Sequence, residues 1–420
     1  MRMSAHRVWA EIDLDALTHN LARIRREAGS GVGVMLVVKA DAYGHGAVAV
    51  AQHALRCGIA GLGVGTSAEA LELRDAGIRA PILVLGTIID GEARDSLLND
   101  VQIAVHSEDR CEQLQDMARR LGCKAEVHLK IDSGMGRLGV LPERALGVLE
   151  RIQASSHLHL AGIMTHVAAG DGALSPSTQD QLELFNRTVE RARASGLLEG
   201  CRVHAANSAA IFTGLGPGFD LVRPGISAYG VLPLDLPGAR ELRPVMSLRS
   251  QVVFLKDLPA GTPVGYGATW QTSQPTRIAI LPVGYNDGVS WRLSNRGEVL
   301  VEGQRARMVG RISMDYTTID VTHIPGVSVG DTATLIGAQG KEFIGLAEVA
   351  RRADTIPYEI TCAVGKRVER VYRGGEVPLF PAPVPAAPAE AAAGDAASVP
   401  ARTKPPGSTG ANRSSSAAKT

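Results

Sequence analysis

Gly31-Val32-Gly33-Val34-Met35-Leu36-Val37-Val38-Lys39-Ala40-Asp41-Ala42-Tyr43-Gly44-His45-Gly46 is the stretch on which the reading of the fold turns. Its first half, Val32–Val38, is aliphatic and β-branched with no polar alternation, the pattern of a strand buried on both faces. Lys39 follows directly. An ammonium inside such a strand would have to shed its water, so the strand is expected to end there and open into a site. Desolvation favours a neutral amine, and a neutral amine can form a Schiff base with a carbonyl. A lysine that only snorkels from a strand end fits the same local pattern. The choice between the two falls to the rest of the chain.

Seven further short apolar runs follow: Ile59–Val64, Pro81–Leu85, Val101–Val105, Ala125–Ile131, Leu160–Thr165, Cys201–Ala205 and Leu221–Ile226. Segments of helical periodicity lie between them, at Ala47–Arg56, Ser67–Ala76, Ser107–Leu121, Pro142–Ala154 and Ser177–Ala194. Ser67, Ser107 and Ser177 read as N-caps. Eight strands alternating with helices imply parallel βα units, and this length suits a (β/α)8 barrel. Such barrels carry their chemistry at the C-terminal ends of the strands. Those ends here are Lys39, Gly65, Gly86, His106, Lys130 with Asp132, His166, Asn207 with Ser208, and Arg223. Strand stops explain the glycines and the small polar residues; Lys39, Lys130, His166 and Arg223 at one end ask for another reason.

From about Glu241 the texture changes to strand-like runs: Val245–Leu255, Thr276–Val283, Glu298–Val301, Arg305–Met314, Thr317–Val321 and Asp331–Ile336. Turn residues punctuate them. The expected organisation is an α/β chain, with a barrel over residues 1–240 and a mostly antiparallel β domain over 241–375, onto which the first residues pack. Residues 376–420 are Pro, Ala, Ser and Gly with almost no large side chain, and disorder is expected there.

Composition narrows the class. A net charge of +1 over 420 residues gives no footprint for nucleic acid or an acidic membrane. No stretch is apolar enough to span a membrane, and the N-terminus lacks a signal core, so a cytoplasmic protein is expected. Five scattered cysteines, none in a C-x-x-C pair, argue against disulfides or zinc. His157 and His159 lack a third ligand, so no metal is expected. Two glycine patterns, at Gly44–Ala49 and Gly134–Gly139, match a dinucleotide fingerprint in letters only. The first is displaced from its strand by Lys39–Tyr43, and the next strand, Gly61–Gly65, offers no acidic partner of the kind such a fold needs; the second follows the fifth run.

Phosphate in barrels is often held by the loops after strands seven and eight. Here these carry Asn207-Ser208-Ala209-Ala210 and Arg223-Pro224-Gly225-Ile226. Ser208 offers a hydroxyl at a helix start, and Gly225 and Ile226 offer backbone N–H groups. A lysine at strand one and a phosphate cradle at strands seven and eight together suggest pyridoxal 5′-phosphate (PLP).

The Lys39 segment resembles the PLP-lysine motif of the alanine racemase family. Further resemblances follow in order: His128–Gly139, Thr165-His166, His204–Ala209, Arg223–Gly230, Gly265–Trp270, Pro282–Gly288, Ser313-Met314-Asp315 and Pro357-Tyr358-Glu359. They span both expected domains. The resemblance implies a PLP-dependent isomerase that interconverts L- and D-alanine and supplies D-alanine for peptidoglycan. It also implies a homodimer whose active sites are shared between subunits. Lys39 would be the Schiff-base lysine and one acid/base. Tyr266 would be the other, reaching in from the partner subunit. Tyr43, Ser208, Gly225, Ile226 and Tyr358 would hold the phosphate, with His166 and Asn207 near the cofactor. Arg137 would face the phenolic oxygen and the substrate carboxylate, the Met314 backbone would bind that carboxylate, and Tyr285 of the partner would line the entrance. Lys130 would be carbamylated and orient Arg137. Ser313 stands where relatives often have cysteine, a small departure at a position whose role is carried by backbone.

Racemisation needs groups on both faces of the α-carbon, and cationic neighbours, Arg137 and the imidazole of His166, would assist Tyr266. Arg223 would face the pyridine nitrogen. A guanidinium stays protonated and gives that nitrogen no proton, which weakens the ring as an electron sink and restrains side reactions. A decarboxylase on this fold would be expected to place a carboxylate there instead. A non-catalytic PLP-binding barrel would lack the Gly-Tyr266-Gly-Ala-Thr-Trp segment. A racemase of broader specificity, acting for example on serine, is the remaining alternative.

Overall fold

The computed structural model describes residues 6–168, 176–215, 218–232 and 237–376; the expected disorder of the tail beyond Glu376 concerns residues outside these. Strand β1 (Val8–Asp13) leads into the helix Leu14–Ala28, which Asp13 caps by accepting from the Ala16 N–H at 2.8 Å. Eight parallel strands then close a barrel: β2 (Gly33–Val37), β3 (Gly61–Val64), β4 (Ile82–Val84), β5 (Gln102–Val105), β6 (Ala125–Lys130), β7 (Leu158–Met164), β8 (Arg202–His204) and β9 (Leu221–Val222). The closing pair sets Gly33 opposite Leu221, where a Cβ on Gly33 would lie 2.6 Å from the Leu221 side chain.

The apolar run before Lys39 is buried throughout, Val34 to Val38 each at 6% exposure or less. Met35 points inward, in a small cluster with Leu83, Ala104, Met164 and Leu221, while Leu36 belongs to the large cluster under the surrounding helices. Burial on both faces is why this strand carries no polar alternation.

The remaining strands form a ten-stranded sheet. They are β10 (Met246–Gln251), β11 (Phe254–Leu258), β14 (Thr276–Leu281), β15 (Glu298–Val301), β16 (Gln304–Met308), β17 (Thr317–Asp320), β18 (Thr332–Gln339), β19 (Glu342–Ile344) and β20 (Glu369–Arg373), together with β1. The short hairpin β12 (Pro263–Val264) and β13 (Trp270–Gln271) stands apart. The main order is β11-β14-β17-β16-β15-β18-β10-β1-β20, and β1 runs antiparallel to β10 and parallel to β20. The first strand of the chain is thus a member of the C-terminal sheet.

Several expectations change in detail. The run Val245–Leu255 is two strands, because Val253 donates to Ile280 and the chain changes partner from β18 to β14. The run Arg305–Met314 stops at Met308. Two helices, Leu346–Arg352 and Pro357–Cys362, interrupt the second half; each is two turns or less, too short for a periodicity to show. Two expected caps differ: the helix at Ser67 is capped by Thr66, in a box with Glu69, and Ser177 lies within the helix Pro176–Ala194.

Candidate active site

The chain leaves β2 through an unusual turn. Ala40, Asp41, Ala42 and Tyr43 all have φ between +52° and +54°, a left-handed helical turn without glycine until Gly44. For L-residues this costs roughly 1–2 kcal/mol each. Distant partners hold it. The Ala40 N–H donates to Glu69 Oε1 at 2.7 Å, and the same carboxylate accepts from Gly65 N at 2.7 Å, tying the ends of β2 and β3 together. Asp41 accepts from Ala47 N at 2.7 Å and starts the next helix. Arg370 donates to the Gly44 carbonyl at 3.1 Å and lies 3.7 Å from Asp41. A side chain at Gly44 would collide with the Thr361 carbonyl, so the turn packs on the helix Pro357–Cys362. That contact brings Tyr358 to Tyr43, with ring centroids 6.1 Å apart, and Tyr229 lies on the other side at 5.0 Å.

The turn and the strand ends surround a cavity of about 590 Å³ at the barrel mouth. Lys39, Tyr43, Lys130, Arg137, His166, Asn207, Ser208, Arg223, Gly225, Ile226 and Tyr358 all line it. His106 and Asp132 lie outside. His106 bonds Thr87 at 2.7 Å, and Asp132 is occupied as a cap, accepting from the backbone N–H groups of Gly134, Met135, Gly136 and Arg137. Partial burial opposes the charge on Asp132, but these donors outweigh it and hold the carboxyl below its usual range. Cys362, four residues after Tyr358 on the same helix, also lines the cavity; nothing in the local sequence marked it.

Lys39 is exposed, so the burial read from its strand stops at Val38. Lys130 is buried and donates to the Leu85 carbonyl at 3.3 Å. Desolvation first, then the charges of Arg137 and Arg223, push its ammonium down to about 8. Burial and the cations Arg223, Lys130 and Arg137 push His166 down to about 3. This ring is therefore neutral at physiological pH, and the expectation of a cationic His166 beside Tyr266 does not hold. Arg137 is exposed and keeps the cationic part of that expectation.

Arg223 is buried. It donates to the Thr165 carbonyl at 2.6 Å, the Ala205 carbonyl at 3.1 Å and His204 Nδ1 at 2.9 Å. His204 Nε2 lies 2.8 Å from His128 Nδ1, and His128 Nε2 lies 3.1 Å from Gln102 Oε1. With the proton on Nε2 of both rings, every link has one donor and one acceptor. Burial pushes His128 down to about 3 and His204 well below its ordinary value, so both stay neutral, as this chain of bonds requires. Burial also lowers Arg223, to about 10, which leaves it protonated at neutral pH.

Ser208 begins a short helical turn capped by Asn207, whose side chain accepts from Ala210 N at 3.0 Å. The Ser208 hydroxyl accepts from Gly225 N at 2.9 Å and Ser227 N at 3.3 Å. A Cβ on Gly225 would strike the Tyr43 hydroxyl, so only glycine lets this backbone, Tyr43 and Ser208 meet. Gly65 and Gly86 also line the cavity, and a Cβ on Gly86 would sit 2.8 Å from the Gly65 carbonyl.

Among the described residues lining the cavity are Lys39, Lys130, Arg137 and Arg223, and no carboxylate. Such a wall suits a ligand with more than one anionic group. The hydroxyls and N–H groups around Ser208 and Gly225 fit a phosphate, and Lys39 fits an aldehyde, so the residues present suit PLP.

Three expected residues are not at this cavity. Tyr266 is 76% exposed, on a turn between β12 and β13; Met314 is 52% and Tyr285 46% exposed. Trp291 and Tyr316 are exposed with them. Among the described residues no helix is long and apolar enough to cross a membrane, and no group of three His, Cys, Asp or Glu residues could hold a metal.

The family described as alanine racemase, N-terminal domain, matches residues 12–233, and its C-terminal domain matches 245–372. The alanine racemase of Syntrophobacter fumaroxidans is 42% identical over 368 residues, 87% of this chain and 98% of that protein. Among solved structures, alanine racemase of Clostridium difficile 630 superposes with a TM-score of 0.83 at 34% identity, over 88% of this chain and 96% of that one. The Bartonella henselae alanine racemase, a crystal structure with covalently bound pyridoxal phosphate, does so with 0.78 at 30% identity, over 88% of this chain and all of that one. Barrel, sheet and cationic cavity thus come with matches across both halves of the chain, which belongs to the alanine racemase family.

Proposed function

We propose that the barrel-mouth cavity racemises alanine with PLP held on Lys39, and that the second base, Tyr266, comes from the partner in a homodimer. The observation that carries this reading is the cavity wall, a lysine at a strand end with three further cations and no carboxylate among its described residues. When bound, PLP supplies an aldehyde for the substrate amine and a conjugated ring that spreads the charge left by α-proton removal. Tyr43, Ser208, the backbone at Gly225 and Ile226, and Tyr358 would grip its phosphate, and His166 and Asn207 would flank it. Arg223 would give the ring nitrogen a hydrogen bond but no proton, because its guanidinium, although burial lowers it to about 10, keeps its own proton at neutral pH. Arg137 would meet the phenolic oxygen and the substrate carboxylate.

Lys39 would hold or return a proton on one face of the α-carbon, and Tyr266 on the other. Tyr266, Tyr285 and Met314 are exposed on the chain that carries them and lie apart from its own cavity, which supports their service to a second subunit. Arg137 in the cavity would be the cation beside Tyr266. D-alanine supply for peptidoglycan and a cytoplasmic location belong to the same proposal. In the assay that tests it, loss of circular dichroism is followed for L- and D-amino acids with added PLP. Alanine should racemise fastest; faster turnover of serine would overturn the substrate assignment and favour the broader racemase.

Lys130 is proposed to be carbamylated. Carbamylation needs a neutral amine, and an amine pushed down to about 8 has an appreciable neutral fraction near neutral pH. The carbamate would place a negative charge among Arg137, Arg223 and Lys39, offsetting their repulsion and orienting Arg137. Crystals grown with bicarbonate should show density for a carboxylate on Lys130 Nζ; density ending at the amine would contradict it.

A further inference from the structure

Tyr285 and Met314 sit on separate turns that touch backbone to backbone. Tyr285 N donates to the Ser313 carbonyl at 3.1 Å, and Asn286 N to the Met314 carbonyl at 3.3 Å. A Cβ on Gly284 would collide with both of those carbonyl oxygens, so nothing larger than glycine permits this contact. Asp287 lies beneath, 1% exposed, and its Oδ2 accepts from Gly284 N at 2.9 Å.

One guanidinium spans the assembly. Arg367 donates to Asp287 from Nε at 2.6 Å and from Nη2 at 3.0 Å. The same Nη2 reaches Asp315 Oδ1 at 2.8 Å and the Met314 carbonyl at 3.4 Å. With its amide oriented to suit, the Asn286 side-chain oxygen accepts from Nε at 3.0 Å and Nη1 at 3.3 Å. A structural ion pair would need only the Asp287 contacts. The contacts to Asp315 and the Met314 carbonyl extend to the turn whose Met314 side is exposed. The planar fork of arginine can serve both turns at once, whereas the point charge of lysine cannot.

We propose that Arg367 is a positioning residue, which locks the Tyr285 turn to the Met314 turn so that the pair meets the substrate carboxylate in the partner subunit's cavity as one rigid piece. The proposal rests on the shared-site reading above. It places specificity for a small amino acid in the second domain, sixty or more positions from any barrel strand.

Three variants test it: Arg367→Gln, Arg367→Lys, and the pair Asp287→Asn with Arg367→Gln, which leaves no unpaired buried carboxylate should the single change fail to fold. Each is assayed for alanine KM and kcat, for inhibition by propionate, which has the carboxylate but no amine, and for dimerisation by sedimentation equilibrium. Loss of registration in Arg367→Gln should raise KM and the propionate inhibition constant roughly tenfold or more. The fall in kcat at saturation should be smaller, the pattern of lost ground-state binding. Arg367→Lys, which can pair with Asp287 but cannot span both turns, should keep most of the loss, and the double variant should match the single. Folded, dimeric variants with unchanged KM and propionate inhibition would reduce Arg367 to a structural ion pair and overturn the proposal. A wild-type protein that sediments as a monomer would remove the shared-site reading itself, and the positioning role with it.

Discussion

Lys39→Ala is expected to lower racemisation of alanine in both directions by about 10⁴-fold, the upper end of what one positioned acid/base contributes. The loss should come without unfolding. Lys39 is exposed, and the bonds that hold the left-handed turn run through the Ala40 N–H, Asp41 and the Gly44 carbonyl, not through its side chain. Thermal stability should therefore stay within about 0.5 kcal/mol of wild type, as for most exposed substitutions. Circular dichroism of alanine solutions measures the rate, and a melting curve the stability. A variant that keeps more than a tenth of wild-type activity would show that Lys39 only snorkels from its strand end.

Tyr266→Phe is the second large effect. It keeps the ring and removes only the hydroxyl, on a turn 76% exposed in the single chain, so fold and cofactor loading should be unchanged. Racemisation should fall by about 10²–10⁴-fold. With Lys39 intact on the other face, exchange of the α-hydrogen with solvent deuterium should persist for one alanine enantiomer and fail for the other. Equal loss of exchange from both enantiomers would contradict two bases on opposite faces. With His166 pushed down to about 3, the proposed site leaves Arg137 as the cation that would assist Tyr266, so Arg137→Ala should deepen the loss at this step.

The barrel was legible because it is built from local signals. Val34 to Val38 are apolar without alternation because both faces are buried, and the helices at Ala47 and Glu108 carry one apolar stripe each. The strand ends were legible for the same reason, since a polar residue after such a run marks where burial stops. What escaped depends on contacts between distant positions. Nothing in Ala40-Asp41-Ala42-Tyr43 favours a left-handed turn; Glu69, Arg370 and the backbone at Thr361 impose it. His128 and His204 read as unrelated strand residues. They meet because Gly162 lacks the side chain that would fill His128's place. Tyr358 and Cys362 reach the cavity from a helix of six residues, too short to announce itself. Tyr266, Met314 and Tyr285 entered only through the family resemblance, and on this chain they are exposed.

The central claim is that Lys39 of one subunit and Tyr266 of another complete a single site. Mixing Lys39→Ala with Tyr266→Phe subunits under conditions of proven exchange tests it directly. Random pairing makes half the dimers hybrid, and each hybrid has one intact site of its two, so activity should return to about a quarter of wild type. Activity that stays at the level of the separate variants, with hybrids demonstrated by mass, would show that each chain carries its own two bases.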